Sequence, residues 1–416
     1  MSPHQPTRRP VAGVPGVPWN RQRLRSNNEW LLLELLRTGG GSSRAQLARD
    51  TGLSKPTVSA ALAELEQAGL VREAGRVAPE RGRTAVLYEV DPRAGHVLGV
   101  DIGRARLRVA VADLAGTVVA RRDVANRGRT AEAVADAVVA AAHEAIAEAG
   151  LASADIVHAV IGTPGVWDEE RRGVRYATSL PDWGRPGLFD RIAEGLGTAV
   201  TVANDANLAA LGEYTLGAGR GSRMFAYLLV GTGLGVGVVK DGELLLGAHG
   251  ALGEIGLVPL PAVPPAAEPL AAGQDVPDAT TLEQEAAADA VVRAARDFGL
   301  TGTGGRRLTA KQVFARARAG DEAALRAVRW EADRLAYAVA VLSAVLDPDL
   351  LVLGGGIGNS ADLLLEPLEQ ALRRFAPRCP TLAPSLLGEE AVLLGAVSTA
   401  LEAARPAVFE RRTAGL

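Results

Sequence analysis

The chain has 416 residues, enough for two or three domains, and its 48% hydrophobic and 22% charged content is that of ordinary globular protein. One cysteine, Cys379, excludes an internal disulfide and a cysteine-cluster zinc site; no stretch reaches the ~20 uninterrupted apolar residues of a membrane span, and the Pro- and Arg-rich start has no apolar signal core, so a cytoplasmic protein is expected. The net charge of −3 hides an asymmetry: residues 1–90 carry 13 Lys and Arg against 8 Asp and Glu, net +5, and the remainder 32 against 40, net −8, so the front end calls for an anionic partner. Residues 1–22 are rich in Pro and Gly, lack periodicity and read as a disordered tail. From Asn28, "NEWLLLELLRTG" predicts a helix ending near Gly39. A short helix follows with Leu47 and Ala48 inward, broken at Gly52. Ser54 then caps a further helix that tolerates Pro56 in its first turn and puts Val58, Leu62 and Leu65 on one face. The opposite face opens with Lys55, Thr57, Ser59 and Ala60, short or cationic side chains able to approach base edges and phosphates. "LVREAGRVAPERGRTAVLYEV" predicts two strands joined by a turn carrying Arg76, Arg81 and Arg83.

This order resembles the winged helix-turn-helix of bacterial regulators, over residues 23–90. The resemblance implies a double-stranded DNA operator as partner. Lys55, Thr57 and Ser59 would enter the major groove, with Arg81 and Arg83 of the wing on phosphates or in the minor groove. Two helices around a glycine turn also occur in small helical domains without nucleic-acid function; the wing and the positive charge favour DNA.

From His96 the pattern changes. "HVLGVDIGR", "RLRVAVADLAG" and "TVVARRDVAN" predict a three-stranded meander, followed by an Ala-rich helix and the buried strand "DIVHAVIGTPG". "RMFAYLLVGTGLGVGVVKDGELLLG" repeats the theme of strand, glycine turn, strand and hairpin, and "LLVLGGGIG" adds a strand before a helix. The recurrence predicts two similar α/β halves with a cleft between them. Gly231, Thr232, Gly233 and Gly235 would let a phosphate approach the backbone closely, or simply make a tight turn between core strands.

Taken together and in this order, "DIG", "GTPGVWD", "SLPDW", "VANDANLAALGE", "GTGLGVGVV", "HGALGEIG" and "LVLGGGIG" resemble the ROK family of repressors and sugar kinases. The resemblance implies an α/β, actin/hexokinase-like, two-lobed ROK domain over residues 91–416, for ligand binding and oligomerisation, preceded by the small winged domain. By the family's pattern Asn204, Asp205 and Glu254 are sugar ligands, with Glu283, in the place of the glutamate closing the zinc segment, as a fourth sugar-site candidate; Asp205 matches the kinases' catalytic base. Gly231, Thr232 and Gly233 match the second phosphate loop. The residues themselves leave other roles open: Asn204 or Asp205 would also cap the next helix, and Glu254 would also pair with an arginine.

Four departures from the family pattern bear on activity. Arg104 and Ala105 stand where the kinases carry a small glycine–hydroxyl pair after "DIG". Leu257 replaces a zinc-binding histidine. The loop 258–280 is rich in Pro and Ala and has no thiol. Ser179 stands where asparagine is usual. The expectation is a regulator with a retired kinase core: no metal, no cofactor, no enzymatic activity, a sugar or sugar-derivative effector, no membrane contact, and a homodimer or homotetramer reading two half-sites. An active sugar kinase with an appended DNA-binding module, and a regulator whose body serves only assembly, are the alternatives.

Overall fold

Two serines set the first short helices. Ser43 accepts the Gln46 N–H at 3.2 Å and Ser54 the Thr57 N–H at 3.3 Å, each satisfying a donor that a helix start leaves unpaired. The structure is a computed structural model and describes residues 21–77, 84–177, 180, 182–260, 280–302, 307–374 and 379–414. Its elements open with α1 (Arg21–Gly39), β1 (Ser42–Ser43), α2 (Arg44–Thr51), α3 (Lys55–Gln67), β2 (Val71–Val77) and β3 (Ala85–Val90). Leu47, Val58, Leu62 and Leu65 are buried as the helical spacing predicts, with Leu32 and Leu36 of α1 also in the core. Gly52 stops α2 in the left-handed region, φ +72°. The strands form a sheet in the order β1-β3-β2. Helix α1 starts seven residues before the expected Asn28; its first turns carry no apolar periodicity, so the pattern gives no sign of them. The wing residues Arg81 and Arg83, residues 1–20, Ser179 and most of loop 258–280 lie outside the described residues.

These elements belong to the smaller of two compact units, which consists of residues 1–97, 112–117 and 401–416; the larger holds 98–111 and 118–400. In the larger unit β4 (His96–Ile102), β5 (Arg106–Asp113) and β6 (Val118–Ala125) make the expected meander. Helix α4 (Ala131–Glu148), β7 (Ile156–Thr163), β8 (Val166–Asp168), β9 (Gly173–Arg175), α5 (Leu188–Leu196), β10 (Val200–Asn204) and α6 (Asp205–Leu216) follow. The second half opens with the meander β11 (Met224–Val230), β12 (Leu234–Lys240) and β13 (Glu243–Leu244). After it come α7 (Leu282–Ala286), α8 (Ala288–Asp297), α9 (Ala310–Arg318), α10 (Glu322–Leu346), β14 (Leu350–Gly354), α11 (Gly355–Gly358), α12 (Ala361–Leu372), β15 (Thr381–Pro384) and α13 (Ala391–Thr413). The sheet orders are β6-β5-β4-β7-β10 and β13-β12-β11-β14-β15, so each half is a meander extended on its first strand by two further strands. The internal repeat expected from sequence is present. Helix α4 covers the first sheet with Val134, Val138, Ala142 and Ile146, and α10 anchors the core of the second with Leu335, Val339 and Leu342.

Helix α13 is long and apolar enough to cross a membrane. Its apolar side chains are those of a core helix: Leu393, Ala396, Val397, Ala400 and Leu401 are buried, and Glu402, Arg405 and Pro406 interrupt the run. It crosses α6 at Gly212 and Gly395, where a Cβ on Gly395 would strike the Leu208 carbonyl; only glycine permits that approach.

Candidate functional site

Two surfaces hold the candidate residues, one in each unit. On the smaller unit, Lys55, Ser59 and Ala60 of α3 are exposed, while Thr57 is half-buried with its hydroxyl 2.8 Å from the Ser54 hydroxyl. The buried stripe of α3 faces the opposite way, so the first turns offer short and cationic side chains outward, the shape a groove-reading helix needs.

On the larger unit a cleft of about 330 Å³ opens between the two sheets' turns. The β4–β5 turn brings Gly103, Arg104 and Ala105 to it, the β11–β12 turn brings Gly231 and Thr232, and the start of α6 brings Asp205. The first turn is closed on itself: the Gly103 N–H donates to the Arg106 carbonyl at 2.9 Å. In the second, the Gly231 N–H donates to the Gly233 carbonyl at 3.0 Å. The Gly103 and Gly231 N–H groups are therefore already engaged within their own turns. Arg104 reaches Asp289 of α8 at 3.8 Å, an exposed and weak pair, and Arg106 bonds Asp123 at 2.6 Å.

The strongest electrostatic feature of the cleft is Arg108. Its guanidinium bonds buried Asp101 at 3.0 Å and Glu389 at 2.6 Å, with Asp123 at 3.8 Å. Burial pushes the Asp101 carboxyl up to about 6, against the opposing pull of Arg108. Burial works against the Arg108 charge, yet Asp101 and the other two carboxylates hold its proton more tightly than usual. The acid of the "DIG" stretch is thus already held by a cation of the chain itself. Sequence reasoning fixed on Arg104 and missed Arg108 and Glu389. Strand alternation puts Arg106 and Arg108 on one face of β5, a signal available for Arg108; nothing local marks Glu389.

Of the four sugar-site candidates, only Asp205 lines this cleft. Burial first, then the neighbouring Asp101, push its carboxyl up to about 7, and Glu254 adds to the shift. Glu254 is itself raised by burial and by Glu283, and it makes no ion pair among the described residues, so the arginine partner considered from sequence is not there. Asn204 is the N-cap of α6: its Oδ1 accepts the Asn207 N–H at 3.1 Å, and its amide donates to the Gly165 carbonyl at 3.1 Å. The capping role left open in sequence is the one its side chain fills. Glu283 accepts the Leu234 N–H at 3.1 Å and packs against Gly233, bracing the β11–β12 turn. The motifs also support one another: Trp183 of "LPDW" donates to Thr163 of "GTPG" at 2.6 Å, both buried. Among the described residues no group of three or more His, Cys, Asp or Glu is placed to hold a metal ion. Exposed Leu257 offers no ligand where the family has its histidine.

Comparison with known proteins adds the following. A family model described as "ROK family" matches residues 97–403, and one described as "MarR family" matches residues 25–83. A glucokinase of Halalkalibacterium halodurans is 30% identical over 316 residues, which cover 72% of this chain and 92% of that protein. A putative xylose repressor of Caldicellulosiruptor sp. is 26% identical over 363 residues, 86% of this chain and 90% of that one. Among solved structures, a ROK family transcriptional regulator, a homologue of the E. coli MLC protein, superposes with a TM-score of 0.71 at 23% identity. The match covers 94% of this chain and 99% of that one.

Proposed function

Because the chain belongs to the ROK family and carries a winged helix ahead of the ROK domain, we propose that it is a DNA-binding transcriptional regulator of sugar-related genes, acting as a repressor. Residues 23–90 form its DNA-binding part and 91–416 its sensing and oligomerising body, whose actin/hexokinase-like cleft takes a sugar or sugar derivative. The observation that carries this reading is α3, with a buried apolar stripe on one side and Lys55 and Ser59 exposed on the other. The likeness in sequence to a xylose repressor over 86% of the chain supports it. Asp205, which lines the cleft, supplies an acceptor for sugar hydroxyls, and Glu254, near enough to raise the proton affinity of Asp205, supplies a second. The body works without phosphoryl transfer, because Asp101 is engaged by Arg108 and the β4–β5 turn carries Arg104 and Ala105. It acts in the cytoplasm as a homodimer or homotetramer on paired half-sites.

The test begins with selection of duplexes from a random-sequence library by the native chain. Thr57→Ala and Ser59→Ala should weaken the selected duplex more than a random one; equal titrations for both variants and the native chain would remove the DNA assignment. A thermal-shift panel of hexoses, pentoses and their phosphates then tests the body.

Three observations favour a second reading, an active sugar kinase: Asp205 lines an open cleft, has a proton affinity suited to a general base, and the chain has a glucokinase relative. A coupled ADP-release assay separates the two. Sugar-dependent turnover abolished in Asp205→Ala establishes the kinase; its absence supports the regulator.

A further inference from the structure

We propose that Arg412, 344 residues downstream of Ala68 at the end of α3, is a positioning residue for DNA recognition: it caps the carboxyl end of α3 and so helps set how that helix meets a groove. The proposal rests on the DNA-binding reading of α3.

An α-helix leaves its last carbonyls without helical partners, and a cation there is favoured by the aligned peptide dipoles. Helix α3 ends at Gln67; Ala68 and left-handed Gly69, φ +66°, carry the chain out of it. The Arg412 guanidinium donates to the Ala68 carbonyl at 3.1 Å and to the Gly69 carbonyl at 3.2 Å. Its other terminal nitrogen donates to the Ala94 carbonyl at 2.6 Å, in the turn Pro92–Ala94 that follows β3. One planar group therefore ties the end of α3 to the exit of the wing. The fit is close: a Cβ on Gly69 would lie 2.9 Å from the guanidinium. Arg412 makes no ion pair among the described residues, so its charge is directed wholly at carbonyls.

The rest of the 401–413 segment is seated in the same unit. Phe409 meets Trp30 of α1 edge to face, ring centres 5.2 Å apart. Val408 is buried, and Arg405 donates to the Leu114 carbonyl at 3.1 Å. The helix that carries Arg412 is thus seated by contacts of its own, and the guanidinium adds a tie to the end of α3, which the backbone bonds from Leu70 to Leu65 and from Asp91 to Leu70 also hold. Base edges are read by side chains that must meet fixed donors and acceptors, whereas phosphate contacts tolerate a shift. A loosened cap should therefore cost specific binding and spare nonspecific binding.

The test uses the full chain and two probes: a duplex that the native chain selects from a random-sequence library, and a random duplex of equal length. Arg412→Ala should weaken the selected duplex by about tenfold and leave the random duplex unchanged. Arg411→Ala removes the same charge from the adjacent, exposed position and should change neither. Arg412→Lys, which keeps a donor within reach of the carbonyls, should lie between native and alanine. It also provides the reading if the alanine variant does not fold. Equal affinity of native and Arg412→Ala for the selected duplex overturns the proposal. So does an equal loss on both duplexes, which marks a merely structural role. If the native chain selects no duplex at all, the DNA-binding reading falls and this proposal with it.

Discussion

Replacing Arg108 by methionine keeps most of the side chain's bulk and removes its charge, and the consequence should depend on pH in a definite way. Asp101 is buried, and Arg108 is its nearest cation, at 3.0 Å. A charge-assisted hydrogen bond of this kind is worth about 1.5–3 kcal/mol, and an orphaned buried carboxylate costs more. The pairs with Glu389 and Asp123 involve side chains 66% and 49% exposed and add little. In the native chain the Asp101 carboxyl stands at about 6, above its unfolded value of 3.8. A folded pKa raised in this way means stability is lost as pH rises, here between about 4 and 6. Without Arg108 the carboxyl climbs further, so the loss continues above pH 6. Near pH 4, where Asp101 is protonated in both proteins, native and variant should differ by about 1 kcal/mol or less; at pH 8 the gap should reach about 2–4 kcal/mol. Urea unfolding of native, Arg108→Met, Asp101→Asn and the double variant at pH 4, 6 and 8 measures this. The double variant should abolish the pH dependence of the gap. A gap that is the same at pH 4 and pH 8 would refute the assignment of Arg108 as the charge partner of Asp101.

Glu331 of α10 is fully buried, and neither carboxyl oxygen has a hydrogen-bond partner among the described residues; burial pushes its pKa well above the ordinary value. Glu331→Met should stabilise the chain by about 2–4 kcal/mol at pH 7, and less at pH 5, because the native group, with its raised folded pKa, loses stability as pH rises. Thermal unfolding at the two pH values checks it, and a destabilised variant refutes it. Sugar affinity that depends on Asp205 as an acceptor should rise by up to about tenfold per pH unit below its value of about 7 and level off above, read by calorimetry with a sugar found in the thermal-shift panel. That slope should vanish in Asp205→Asn. Gly395→Val, forcing a side chain into the Leu208 carbonyl of α6, should lower stability by about 3 kcal/mol or more, measured by denaturant unfolding; a loss under 1 kcal/mol would mean the crossing yields easily.

Local chemistry made much of this molecule legible. The strands of both meanders announce themselves as apolar runs broken at glycine turns, and their repetition foretold two similar α/β halves; the shared strand order came from the structure. Helix α3 was legible from Ser54, Pro56 and the spacing of Val58, Leu62 and Leu65. Of the cleft, Asp205 could be placed from its motif. The role of Asn204 was open because a cap and a sugar ligand need the same short amide. What escaped were contacts between residues far apart in the chain. Arg108 and Glu389 are separated by 281 positions, and Arg412 and Ala68 by 344, so no spacing rule connects them. The first turns of α1 escaped for another reason: helix formers without an apolar stripe leave no periodic trace.

The discontinuity of the smaller unit has a consequence for synthesis. Helix α3 is translated early, yet the guanidinium that holds its end is added 344 residues later. At about 5–20 residues per second the ribosome needs roughly 20–70 s to cover that distance. During that interval the end of α3 is held by backbone bonds from Leu70 to Leu65 and from Asp91 to Leu70, and lacks only the guanidinium tie. If α3 reads DNA as proposed, full discrimination between duplexes should therefore appear only once the 401–413 segment has been made, and a chain truncated before it should bind DNA with less sequence preference.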